Sequence, residues 1–181
     1  AFRSPVERHH DWAFYPHPNP NVLAVGILID DRTSDNGPLL VLPKSHKGPI
    51  YDHHDNGVFC GAIDVVREGL DIASARELWG KAGTITIHPA RLIHGSAKNQ
   101  SNEQRRILFY EYTSAEAWPL GCIEFIADLK EFNSRVVQGK PTLQPRLEEV
   151  PVRMPFPVDR SKDSIYEKQE ALSRSYFNDD D

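Results

Sequence analysis

A His-x-Asp triplet at His9-His10-Asp11 and a further histidine, His94, 83 positions beyond Asp11, set the hardest constraint on what this chain can fold into. Two imidazoles and one carboxylate can occupy one face of an octahedral divalent metal and leave three positions open. They do so only if the fold returns residue 94 to within a few ångströms of residue 9. Eleven positions after His94 comes Arg105, whose guanidinium can grip a carboxylate in a two-pronged, charge-assisted contact. A chain that uses all four must bring distant sequence together on neighbouring strands.

The punctuation between these residues is that of a β protein. Residues 22–29 form an apolar run of strand length that ends in Asp30-Asp31, and Ser34-Asp35-Asn36-Gly37-Pro38 is a strong turn signal. Strands are predicted over 39–43, 83–89, 92–97 and 106–113, the last being rich in β-branched and aromatic residues. Residues 44–60, rich in Gly, Pro, His and Asp, read as a long loop, a feature that in compact domains usually carries function. Residues 73–79 fit a helical turn or a short strand equally well.

From Trp118 the character changes. Ile123, Phe125, Ile126, Leu129 and Phe132 recur at near-helical spacing and predict one amphipathic helix over about 121–138. Prolines 141, 145, 151, 155 and 157 predict an extended tail lying over the surface, and Asp179-Asp180-Asp181 a frayed end. The expected fold is mainly β, a jelly-roll whose strands let ligands far apart in sequence converge at one open end. Its core spans 1–120, with a C-terminal helix and charged, Pro-rich tail over 121–181 packing on it.

A chain of 181 residues suffices for one domain with a real core but not for two ordinary ones. The net charge of −5 and scattered Lys and Arg residues leave no nucleic-acid footprint. No apolar run approaches the roughly 20 residues needed to span a bilayer. Cys60 and Cys122 make no metal-type pair and read as free buried thiols in a reducing cytoplasm. The expected partner is a small-molecule substrate, with neither nucleic acid nor membrane involved and the oligomeric state open. No signal peptide is visible, so the expected location is cytoplasmic. The chain begins Ala1-Phe2-Arg3 and reaches the His-x-Asp triplet within a dozen residues, which reads as a piece lacking an upstream segment.

Each candidate has a plainer reading. A second His-x-Asp occurs at His53-His54-Asp55, beside the turn-like Asn56-Gly57, where no rigid element would fix its rotamers; His9 and Asp11 precede the stiff Trp12-Ala13-Phe14-Tyr15 and are favoured. His53 and His54 are then either solvated loop residues or, with Trp118, on the substrate side of a site the loop covers. A histidine beside an apolar strand is generally structural. The small residues Gly95 and Ser96 after His94 would let a ligand approach closely, whereas the rival His88 is followed by Pro89. Arg105 and Arg106, adjacent at a strand start, must point to opposite faces. Either one is buried and needs an anion, or both are exposed edge charges.

Taken in order, His10-Asp11-Trp12-Ala13-Phe14-Tyr15-Pro16-His17, Leu28-Ile29-Asp30-Asp31, Asn36-Gly37-Pro38-Leu39, Pro43-Lys44-Ser45-His46, His94-Gly95-Ser96, Asn99 and Arg105-Arg106 resemble the phytanoyl-CoA dioxygenase family of Fe(II)/2-oxoglutarate oxygenases, over roughly residues 5–120. The resemblance implies a double-stranded β-helix with Fe(II) held by His9, Asp11 and His94. It implies 2-oxoglutarate gripped by Arg105 rather than Arg106, with Ser96 and His10 near the cosubstrate. His10 stands where the family commonly has Gln. Asp11 fills the position that Ala or Gly takes in halogenating relatives, so hydroxylation is implied over chlorination. Family members carry a further segment before the first ligand. The implied activity is hydroxylation of a small organic substrate with dioxygen, releasing succinate and carbon dioxide. A non-catalytic metal- or ligand-binding barrel, or an incomplete inactive piece, is the alternative of another class. A cupin-like metalloenzyme without 2-oxoglutarate is a third, and it would not need Arg105.

Overall fold

The computed structural model describes residues 4–121 and 128–177. Its strands are β1 (Val6–His9), β2 (Val22–Leu28), β3 (Leu39–Val41), β4 (His54–Asp55), β5 (Val58–Phe59), β6 (Arg76–Leu78), β7 (Ile85–Pro89), β8 (His94–Ser96) and β9 (Ile107–Thr113), followed by helices α1 (Leu129–Ser134) and α2 (Ile165–Gln169). One antiparallel sheet has the order β1-β8-β3-β6 and a second has β7-β2-β9. Residues of β1, β3 and β8 and residues of β9 line one common cavity, so the two sheets face each other as in a jelly-roll.

The alternation of β2 explains its place. Val22, Ala24, Gly26 and Leu28 point inward and are buried, while Val25 and Ile27 pair on the other face with Ile87 and Tyr110, and with Ile85 and Leu108. That outer face is apolar yet uncovered among the described residues, Ile87 being 68% exposed. Gly26 is the close-approach position, because a Cβ there would lie 2.7 Å from Thr86 Oγ1. Small core clusters hold the inner layer: Trp12 with Val22 and Ala90, Leu39 with Val41 and Leu92, and Leu42 with Ile63 and Ile93.

Three sequence expectations change. The long loop over 44–60 is instead built: a 3-10 turn covers Ser45–Lys47, and β4 and β5 pair as a small hairpin turned by Asn56 and Gly57, both at positive φ. The ambiguous stretch 73–79 contains β6, which extends the first sheet. The helix expected over 121–138 is a helix only at Leu129–Ser134 within the described part, capped by Asp128, which accepts from Glu131 N; residues 122–127, with Cys122, lie outside the described residues, as does the Asp179-Asp180-Asp181 end.

Between Gly139 and α2 the chain runs without helix or named strand and is stitched down by backbone hydrogen bonds: Arg146 N to Glu116 O, Glu148 N to Pro18 O, and Phe59 N to Pro157 O. Trp12 Nε1 donates to Pro151 O at 2.9 Å. Helix α2 escaped the sequence reading, although Ser164 and Glu167 form a capping box that Ser-x-x-Glu advertises. Gln169 then ties α2 to β1 by accepting from Glu7 N. No helix among the described residues is long and apolar enough to cross a membrane.

Candidate metal centre

The site begins with an irregularity in β1. Val6 pairs with Ser96, but His9 pairs with His94, so β1 carries one more residue than β8 between those pairs. This bulge sets His9 directly opposite His94 and brings the ring centroids to 4.3 Å. Gly95 lets the strands close, since a Cβ there would lie 2.7 Å from Val6 O. Its small size serves the β1 backbone rather than a ligand. After His10 the chain makes a 3-10 turn over Asp11–Ala13, which aims Asp11 back at both histidines.

Asp11 Oδ1 lies 3.6 Å from His9 Nε2 and 3.5 Å from His94 Nε2, and the three side chains can offer one ligand atom each within 4.8 Å of one another. Both Nδ1 atoms are engaged by backbone carbonyls, His9 with Glu7 O at 2.8 Å and His94 with Leu92 O at 3.0 Å. Each ring is thereby held with Nδ1 protonated and the Nε2 lone pair facing the centre, as a metal ligand requires. Burial pushes His94 down to about 4 against the pull of Asp11, so it is neutral at ordinary pH. Burial alone would raise Asp11, but His94, His88 and His9 around it outweigh that and hold the carboxyl well below the usual carboxylate range. Two imidazoles and an ionised carboxylate on one side of a cavity are a donor set that fits Fe(II).

His88, the rival ligand in the sequence reading, lies outside this donor set. It is buried on β7, with Nε2 3.5 Å from Asp11 Oδ2, the oxygen that the other two histidines leave free.

The three donors open into a cavity of about 620 Å³, also lined by Phe14, Tyr15, Leu39, Ser96, Phe109 and Glu111. Burial pushes Glu111 up to about 7, with Asp11 adding to the effect, and Tyr15 shares a hydrogen bond with it. Arg105 and Arg32 line the same cavity. The two adjacent arginines do point apart. Arg106 pairs outside with Asp30 at 2.7 Å, whereas Arg105 turns inward and anchors Nη1 on Gly37 O and Ala97 O at 3.0 and 2.8 Å. Gly37, at φ +84°, leaves room for it, because a Cβ there would sit 2.2 Å from Arg105 Nη1.

Ser96 thus borders the cavity, but His10, His53, His54 and Trp118 do not. His10 is fully buried behind the centre, its ring stacked on Tyr51 at 6.0 Å with neither ring nitrogen hydrogen-bonded, which removes it from cosubstrate contact. His53 is not a solvated loop residue: it is 1% exposed, engages Tyr51 O through Nδ1 and accepts from His10 N through Nε2. Burial pushes His10 down to about 2 and His53 to about 3. His54 pairs with Asp52, and Trp118 stacks on Phe132 and donates to Thr142 O. Cys60 is a free, buried thiol.

Comparison with known proteins places this geometry. The profile of the family described as phytanoyl-CoA dioxygenase (PhyH) matches residues 3–107. A "Probable alpha-ketoglutarate-dependent hypophosphite dioxygenase" of Stutzerimonas stutzeri is 41% identical over 179 residues, which is 96% of this chain and 61% of that protein. An "L-proline trans-4-hydroxylase" of Streptomyces griseoviridis is 30% identical over 61% of this chain and 49% of its own. The chain therefore spans about half to three-fifths of these relatives. Among solved structures, the epimerase SnoN in complex with Fe3+, alpha ketoglutarate and nogalamycin RO is 25% identical, with a TM-score of 0.54 over 81% of this chain and 55% of SnoN. EctD from S. alaskensis in its apoform, 24% identical with a TM-score of 0.52 over 64% of this chain and 41% of its own, shares the fold.

Proposed function

Because the chain belongs to the phytanoyl-CoA dioxygenase family, we propose that it is an Fe(II)/2-oxoglutarate-dependent dioxygenase that oxidises a small molecule and releases succinate and carbon dioxide. The observation that carries this reading is the convergence of His9, Asp11 and His94 on one wall of a cavity that also holds an inward-facing arginine, Arg105. A cupin-like metalloenzyme without a keto acid gives no reason for that arginine.

Bound Fe(II) supplies the redox chemistry by which dioxygen is shared between the keto acid and the substrate. The protein's part is to hold, orient and exclude. His9, Asp11 and His94 would hold the metal at the cavity wall. Arg105 takes the far carboxylate of 2-oxoglutarate, with Nη1 fixed on two carbonyls so that little rotamer freedom is lost on binding. Ser96 lies on the same wall as a hydroxyl for the cosubstrate, while Phe14, Leu39, Ile107 and Phe109 keep the reacting end apolar and restrict water. His88 steadies Asp11 from its other oxygen.

The hypophosphite named for the 41% identical relative makes a small oxyanion the first substrate to try, ahead of organic acids and amino acids. The test is anaerobic addition of Fe(II) and 2-oxoglutarate, followed by air and candidate substrates. A weak visible charge-transfer band and substrate-dependent succinate are expected. A folded protein that binds Fe(II) but gives neither band nor succinate would replace this reading with that of a binding module.

A further inference from the structure

Arg32 is unexplained by the site as described. It follows β2 and is pinned to Gly80 by backbone hydrogen bonds in both directions. Its side chain lines the same cavity as Arg105, and the residue is only 5% exposed. Nη2 donates to the backbone carbonyl of Arg105 at 3.0 Å, and the buried Nε has no hydrogen-bond partner. The two carboxylates that precede it, Asp30 and Asp31, are committed to Arg106 and Lys81 on the outside. Among the described residues no carboxylate lies within ion-pair distance of Arg32 or of Arg105. Burial, and next the like charge of Arg105, depress the proton affinity of Arg32.

A guanidinium removed from water without a counter-charge is unfavourable. The fold nevertheless invests in placing this one. The Asn36 side chain donates to Asp31 O at 2.8 Å and Gln104 O at 3.5 Å and accepts from Thr33 N at 2.9 Å. It thereby ties the segment bearing Arg32 to the segment bearing Arg105. Both arginines thus line one cavity on backbones held to each other, and neither has an ion-pair partner among the described residues.

We propose that Arg32 is an anion-binding residue of the cavity, acting with Arg105 on a small oxyanion. This rests on the dioxygenase reading for what the anion is. It is either the far carboxylate of 2-oxoglutarate, then held by two guanidiniums, or an oxyanionic substrate held beside that carboxylate. Asp163 and Glu111 also border the cavity, but neither forms an ion pair with Arg32.

The test is calorimetric titration of the protein loaded with Ni(II), which holds the centre without turnover, using three probes: 2-oxoglutarate, 2-oxobutanoate (which lacks the far carboxylate) and hypophosphite. For Arg32→Gln, a loss of about tenfold or more in 2-oxoglutarate affinity with 2-oxobutanoate unchanged assigns Arg32 to the keto acid. The same loss confined to hypophosphite assigns it to the substrate. Arg32→Lys keeps the charge but not the fork and should fall between Arg32→Gln and wild type. Unchanged affinity for both oxyanions in Arg32→Gln, or an equal loss for all three probes, overturns the proposal. Wild-type protein that binds hypophosphite but neither keto acid would sink the dioxygenase reading while leaving Arg32 to be judged on the hypophosphite arm.

Discussion

His9 and His94 stand opposite each other in the antiparallel β1–β8 ladder because β1 holds one extra residue between Val6 and His9. Without that bulge the register counted from Val6 and Ser96 would set Arg8 opposite His94. The ligand pair therefore depends on backbone closeness at Gly95. Gly95→Val should push β1 away from β8, lowering stability by about 1–3 kcal/mol. It should weaken Fe(II) binding much more than a volume change elsewhere in the sheet would. Titration of Fe(II) beside chemical denaturation checks this; a Gly95→Val protein with wild-type metal affinity would show that the close approach is dispensable.

Asp11 divides its oxygens, Oδ1 towards the two histidines and Oδ2 towards His88. Asp11→Ala should abolish the metal site. His88→Ala should leave it formed but weaken metal binding by about 10–100-fold, the usual effect of losing a group that orients a ligand. Equal losses in the two variants would make His88 a ligand instead.

Asn36 braces the loop after β2 by two hydrogen bonds, to Asp31 O and from Thr33 N, and joins it to the segment before β9 by a third, to Gln104 O. Removing it takes the partner from Asp31 O and Thr33 N, which lie on exposed residues and can turn to water, so Asn36→Ala should cost about 1 kcal/mol in denaturant unfolding. It should also loosen 2-oxoglutarate more than 2-oxobutanoate, since both arginines lose their shared tie. A variant as stable as wild type would dissociate Asn36 from that tie.

His53 is buried neutral, held down to about 3 by burial. An unfolded chain binds its proton near pH 6.5, so the folded state carries fewer protons between pH 6.5 and 3. Stability at this residue is therefore full above pH 6.5 and is lost as pH falls, at up to about 1.4 kcal/mol per pH unit. His53→Gln should lower stability at pH 7.5, where the acceptor for His10 N is lost or misplaced, yet flatten the fall between pH 6 and 5 by about one proton. Urea midpoints at several pH values decide it: an unchanged acid slope would mean that His53 titrates normally in the folded protein.

The strands were legible where burial is one-sided. The apolar run of 22–29 and the β-branched, aromatic stretch of 106–113 announce β2 and β9, because a half-buried pleat demands such residues whatever their partners. The Ser34–Pro38 turn was equally plain, since Asn36 and Gly37 encode it locally. The short elements were not. β4, β5 and β6 are two or three residues long and owe their form to neighbours rather than to propensity. α2 shows only through its cap, too brief a signal against a charged background.

The candidate site divides in the same way. The sequence by itself determined which donor types were available, the spacing that sets His9, Asp11, His94 and Arg105 apart from other polar residues, and the opposition of Arg105 and Arg106, because strand geometry alternates side chains. Only the tertiary structure decided which histidines meet. His10 and His53 turn into the core behind the centre, and His88 approaches Asp11 from its other side. Arg32 carried no signal at all until the fold brought it beside Arg105. The physical reason is that ligand chemistry belongs to residue types, whereas the direction of a side chain is fixed by bulges, close approaches and non-local pairing, and these arise between segments rather than within them.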